Sequence, residues 1–100
     1  MATPRYLCSH LVRLVAEGRE QWVNLEEIWE SGAVLECEEP VDNGLQVEIL
    51  AGETSFEGHA TEVEQHEFGW RLTMTFSPLT PWKIELWRPE HTLNAEELGQ

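Results

Sequence analysis

Positive charge is what this 100-residue chain has least of: six Lys and Arg stand against 19 Asp and Glu, for a formal net charge of -13. Arg5, Arg13, Arg19, Arg71, Lys83 and Arg88 are scattered and form no run. Nucleic acids and anionic membranes are both held by clustered Lys and Arg, so neither is favoured as a partner. A protein partner with a basic patch suits this charge better. Cysteine is scarce as well, with only Cys8 and Cys37. A disulfide framework needs an oxidising compartment, and nothing in the sequence points to one, so both read as reduced thiols. No N-terminal stretch has the charged, apolar and small-residue order of a signal peptide. No apolar run approaches the roughly 20 residues of a membrane-spanning helix. The expected location is cytoplasmic. Glycine-rich phosphate loops, internal repeats and linkers are missing too. The length suits one domain, 1–100, with one hydrophobic core.

Two-residue hydrophobic alternation fills most of the chain. In "FGWRLTMTF", Trp70, Leu72, Met74 and Phe76 share one face and Arg71, Thr73 and Thr75 the other, which is a half-buried strand. "LQVEIL" aligns Leu45, Val47 and Ile49, "GAVLEC" aligns Ala33, Leu35 and Cys37, and "SFEGHATEV" aligns Phe56, Gly58 and Ala60. "HLVRLVAE" and "QWVNLEEIW" pair as an opening hairpin across Gly18. Turn signals separate the runs, and Asn43-Gly44 in "PVDNG" suits a tight reversal between hairpin strands. Six evenly spaced strands predict an all-β fold, a small six-stranded antiparallel barrel over about residues 10–76. After Phe76 the pattern changes. Thr80 as a cap, Pro81 at the first turn and Pro89 as a stop predict a short C-terminal helix. Trp82 and Leu86 would share its inner face, making a lid and tail over about residues 80–100. "NAEELG", residues 94–99, carries a weak capping box.

Candidate chemistry is thin. Cys8 with His10, and His66 beside Glu67, match no zinc spacing, so no metal site is expected. Aligning "EEPVDNG" to a calcium loop puts Val41 and Leu50 at ligand positions that need oxygen, so the segment reads as a solvated hairpin turn. Pairs such as Glu26-Glu27 and Glu38-Glu39 are what 19 acids in 100 residues produce by chance. Neighbours on a strand point to opposite faces and cannot share an acid/base task. No nucleophile context is visible, so the chain is read as a non-enzyme without a cofactor. Among the five Trp residues, Trp70 and Trp82 fall on apolar stripes and read as core. Trp29 is different, because it stands two residues before the Ser31-Gly32 corner that ends the first hairpin.

That corner carries a resemblance. "RYLCS" places an arginine, Arg5, four residues before Ser9, and "EIWESG" places Glu27, Trp29, Ser31 and Gly32 at a strand corner. Together with the strand order from Arg5 to Phe76, this resembles the PilZ domain, a small split-type β-barrel of bacterial second-messenger signalling. Family members that bind cyclic di-GMP have R-x-x-x-R before the first strand and D/N-x-S-x-x-G at the corner. Here Arg5 and Gly32 match and Glu27 is a lengthened acid. Ser9 stands at the second arginine and Trp29 at the serine. Paired guanidiniums give bidentate, charge-assisted bonds to phosphates, and one of them is missing. The resemblance therefore implies a PilZ-like adaptor that has lost its nucleotide site and works through protein contacts, with Trp29 as an anchor. The alternative it leaves open is a receptor module still taking cyclic di-GMP or a related nucleotide through Arg5 and the Glu27–Gly32 corner.

Overall fold

The alternating segments form six strands: β1 (Tyr6–Ala16), β2 (Arg19–Trp29), β3 (Gly32–Cys37), β4 (Gln46–Ala51), β5 (Thr54–His66) and β6 (Gly69–Phe76). A two-residue β7 (Leu93–Asn94) follows. This computed structural model describes residues 4–94. The strands run β2-β3-β6-β5-β4-β1, and β1 pairs back onto β2, so the sheet closes into an antiparallel barrel. β7 adds to the start of β1, opposite Tyr6 and Leu7. The first strand begins at Tyr6, four residues before the expected edge, which leaves Arg5 at the lip of the barrel.

Alternation sorts the side chains. Val12, Leu14, Val23, Leu25, Ile28, Leu35, Val47, Ile49, Phe56, Leu72 and Met74 are all buried and fill the interior as one cluster. Each such side chain stabilises by about 1.5–3 kcal/mol when removed from water. Three bulges interrupt the alternation: at Cys8 and Ser9 in β1, at Glu26 in β2 and at Thr61 in β5. Each adds one or more unpaired residues and bends its strand. The first hairpin turns on Glu17 and Gly18, both at positive φ (51° and 77°), the backbone pattern that matches strand twist.

Two expectations are corrected. Residues 38–45 are not a hairpin turn, because the strands they join never pair: β3 lies between β2 and β6, and β4 lies between β5 and β1. Instead the segment crosses the barrel end with Val41 buried against the core. Gln21 ties it to β2 through a reciprocal pair of hydrogen bonds with the Glu39 backbone, at 3.1 and 3.2 Å. Gly44 does take positive φ (88°), and its N–H donates to the Ala60 carbonyl at 2.7 Å. Nor is there a helix among the described residues. After Pro81 the chain makes a single turn, in which the Lys83 carbonyl accepts from Leu86 N at 2.9 Å and Trp87 N at 3.4 Å. Without further turns Leu86 does not share the face of Trp82; it is largely exposed. The lid survives as an extended strap. Trp82 is buried, meets Tyr6 edge-on at 5.5 Å and donates its indole N–H to the Trp87 carbonyl at 2.8 Å. Trp87 packs edge-on against His10 at 5.1 Å. The capping box at 94–99 lies outside the described residues, apart from Asn94 itself.

Candidate functional site

The β2–β3 hairpin closes on the pair Trp29–Gly32, with Glu30 and Ser31 between them. Gly32 has no side chain, and the indole of Trp29 fills that space: a Cβ there would lie 2.9 Å from Trp29 Cζ2 and 2.5 Å from the Met74 carbonyl oxygen. The Trp29 indole is thus packed over Gly32. Arg5 covers its other side, with the guanidinium carbon 4.3 Å from the ring centroid. The same guanidinium reaches Glu27 Oε1 at 3.6 Å, and Glu27 Oε2 lies 3.7 Å from Arg71 Nη2. Cation–π stacking over an indole and a shared carboxylate give Arg5 two intramolecular partners at once.

Four of the expected positions therefore meet: Arg5, Glu27, Trp29 and Gly32. Ser31 is present through its backbone, its carbonyl accepting from Phe76 N at 2.8 Å, and its neighbour Glu30 accepts from Trp82 N at 3.0 Å. The corner is thereby tied to the strap. Ser9 stands apart. Its bulge turns the hydroxyl to Asn24 Oδ1 at 3.3 Å, while its N–H donates to the Glu90 carbonyl at 3.2 Å.

Beside the corner the outer face of the barrel carries residues that the motif did not point to. Register places Glu27, Val34, Thr73 and Glu62 in one row and Glu36, Arg71 and Glu64 in the next. Glu27, Glu62, Glu64, Arg71 and Thr73 line a depression of about 240 Å³. Its electrostatics are acidic. A hydrogen bond with Glu64, reinforced by that residue's charge, raises the Glu62 carboxyl above its usual range. The bulged Glu26 is raised by burial and then by Glu36, and its Oε2 is buried without a hydrogen-bond partner. Strand alternation alone could have flagged Arg71 as outward; Glu62 and Glu64 share the parity of Phe56 and Ala60 and turn outward only because of the bulge at Thr61.

The other candidate side chains have structural occupations. Burial first, then acidic neighbours, pushes the Cys8 thiol up to about 12, and the same causes act on Cys37. Neither is a ready nucleophile at neutral pH. His66 Nδ1 sits 3.1 Å from Glu36 Oε1, and His10 Nδ1 accepts from Glu90 N at 3.0 Å. Among the described residues, no group of three or more His, Cys, Asp or Glu is arranged to hold a metal ion. No protein-family model matches the chain, and no curated protein matches it in sequence.

Proposed function

We propose that this protein is a PilZ-like, non-catalytic signalling adaptor of the bacterial cytoplasm, acting through protein contacts with its cyclic di-GMP site closed. One observation carries the reading: Arg5, the arginine retained from the family motif, is stacked on Trp29 and paired with Glu27. A dinucleotide phosphate arriving at this corner would have to displace both partners. It would then face Glu62 and Glu64 beside Arg71. The second guanidinium is replaced by Ser9, whose hydroxyl points to Asn24. Charge-assisted hydrogen bonds to phosphate contribute roughly 1.5–3 kcal/mol each, and here they are lost on one side and contested on the other. As a protein anchor the corner presents an Arg5–Trp29 stack with an acidic rim, and Trp and Arg are the residue types enriched at the centres of interfaces.

Calorimetry with cyclic di-GMP tests the closed site. The wild type should give no saturable heat at micromolar nucleotide. The double variant Ser9→Arg with Trp29→Ser, which restores a guanidinium and releases Arg5 from the indole, should move towards binding. Micromolar affinity in the wild type would instead establish the receptor reading through Arg5 and the Glu27–Gly32 corner.

A further inference from the structure

On the far side of β2 from β3, the outer face made by β2, β1 and β4 gathers apolar side chains. Leu11 and Trp22 are each 64% exposed. They are not scattered. Arg13 is registered with Trp22 on β2 and with Leu50 on β4, so Leu50, Arg13 and Trp22 form one outward row. Leu11 stands two residues up β1 from Arg13 and Val15 two residues down, on the same face. Four apolar side chains are therefore registered around one arginine. By contrast, the exposed Phe68, Leu79 and Leu86 each sit alone in a turn.

The rim of this face is acidic. Val15 is flanked by Glu20 on β2 and by Glu48 on β4, and Glu48 is registered directly opposite Glu57 on β5. Like charges directly opposite on neighbouring strands destabilise a sheet. Among the described residues no Lys, Arg or His pairs with Glu48 or Glu57; Arg13 pairs only with Glu20, at 3.6 Å. A cation from outside would relieve that repulsion.

We infer that this face docks an amphipathic, basic helix of a partner protein. A strand cannot add here, because β1 from Arg13 to Ala16 is hydrogen-bonded on both sides, to β2 and β4. A sheet face left with apolar residues is covered by another layer, and a helix is the simplest one. The dimensions agree. From Leu11 to Val15 is about 13 Å along a strand, against about 12 Å between positions i and i+8 of a helix. Lys or Arg flanking such a stripe would fall near Glu20 on one side and near Glu48 and Glu57 on the other. A second copy of this chain is a poor occupant, since it would bring its own acids against these. The inference rests on the protein-contact part of the proposed function but not on the Trp29 corner.

The test is a titration of the ¹⁵N-labelled protein with a synthetic 18-residue peptide, leucines at i, i+4 and i+8 and lysines flanking them. Shifts should concentrate at Leu11, Arg13, Trp22 and Leu50. Trp22→Ala should weaken binding by at least about tenfold while the unfolding midpoint stays put. Trp29→Ala should leave the affinity unchanged, which separates failure of this face from failure of the corner. A scrambled peptide of equal charge should bind at least about tenfold more weakly, for the same reason. Shifts confined to Glu36, Glu62, Glu64 and Arg71 would overturn the inference, as would equal binding of the scrambled peptide, an unaffected Trp22→Ala, or no saturable binding. Dimerisation of the free protein through Trp22, seen by sedimentation, would overturn it in favour of self-association.

Discussion

Gly58 and Glu26 make opposite demands on their surroundings. At Gly58 the strands approach so closely that an added Cβ would run into the Thr75 carbonyl and lie 2.9 Å from Phe76 Cα. At Gly32 two of the three nearest atoms belong to the Trp29 indole, which can tilt. Gly58→Ala should therefore cost more than Gly32→Ala, by our reckoning over about 4 kcal/mol, because every close atom at Gly58 is backbone. Urea unfolding of the two variants checks the order. Glu26 is the reverse case, a carboxylate short of partners. Its folded value lies above the ordinary 4.5, mainly through burial and then Glu36. Between the ordinary value and the raised one the folded state binds more protons than the unfolded, so this group's contribution to stability falls as pH rises through that window. Glu26→Gln should be more stable than wild type at pH 7, with the gain vanishing towards pH 4. Denaturation midpoints at both pH values measure it, and an equal gain at both would rule out the ionisation as the cause.

Among the elements, the strap after Phe76 contributes one large side chain, Trp82, to the core. Trp82 closes one barrel end, and its backbone N–H is held by Glu30 at 3.0 Å, so it locks the β2–β3 corner as well. Trp82→Ala should cost about 3–5 kcal/mol, the usual range for a buried Trp. That equals several tens of per cent of a small domain's total stability. Leu86→Ser should be close to neutral, since that side chain is largely exposed in the single turn. A helix would bury Leu86 beside Trp82, so calorimetric melting of the two variants separates strap from helix. Cutting the chain after Ser77 should be at least as damaging as Trp82→Ala.

For the whole molecule, a net charge of -13 on a body only 24 Å across its shortest axis sets the ionic response. At about 10 mM salt the Debye length is roughly 30 Å, so the acids on every face repel one another; at 1 M it is about 3 Å. Self-repulsion works against the compact state. Raising NaCl from about 10 to about 500 mM should therefore raise the melting temperature by several degrees, since about 1 kcal/mol moves Tm by 4–8 °C at this size. A falling Tm would mean that the ion pairs of Arg5, Arg13 and Arg71 outweigh the repulsion.

Alternation is a local property, so the inward sets Leu72–Met74–Phe76, Val47–Ile49 and Phe56–Ala60 were legible without coordinates, and with them the all-β class. The close corner was legible for the same reason: Glu27, Trp29 and Gly32 belong to one hairpin and must be neighbours. Which strands pair is not local. Asn43-Gly44 has turn chemistry whether or not β3 and β4 meet, and only the closed barrel decides that they do not. Helix signals around Thr80–Pro89 are equally weak against tertiary packing, and burying Trp82 while hydrogen-bonding it to Glu30 draws the segment out. Bulges finish the account. One inserted residue at Glu26 changes which side chains face outward, and those at Cys8 and Ser9 carry Ser9 towards Asn24 and away from Arg5. The row of Leu50, Arg13 and Trp22 exists only because closure brings β4 to β1, across more than 30 intervening residues. Short-range alternation writes the faces of strands, but long-range pairing chooses which faces become one surface.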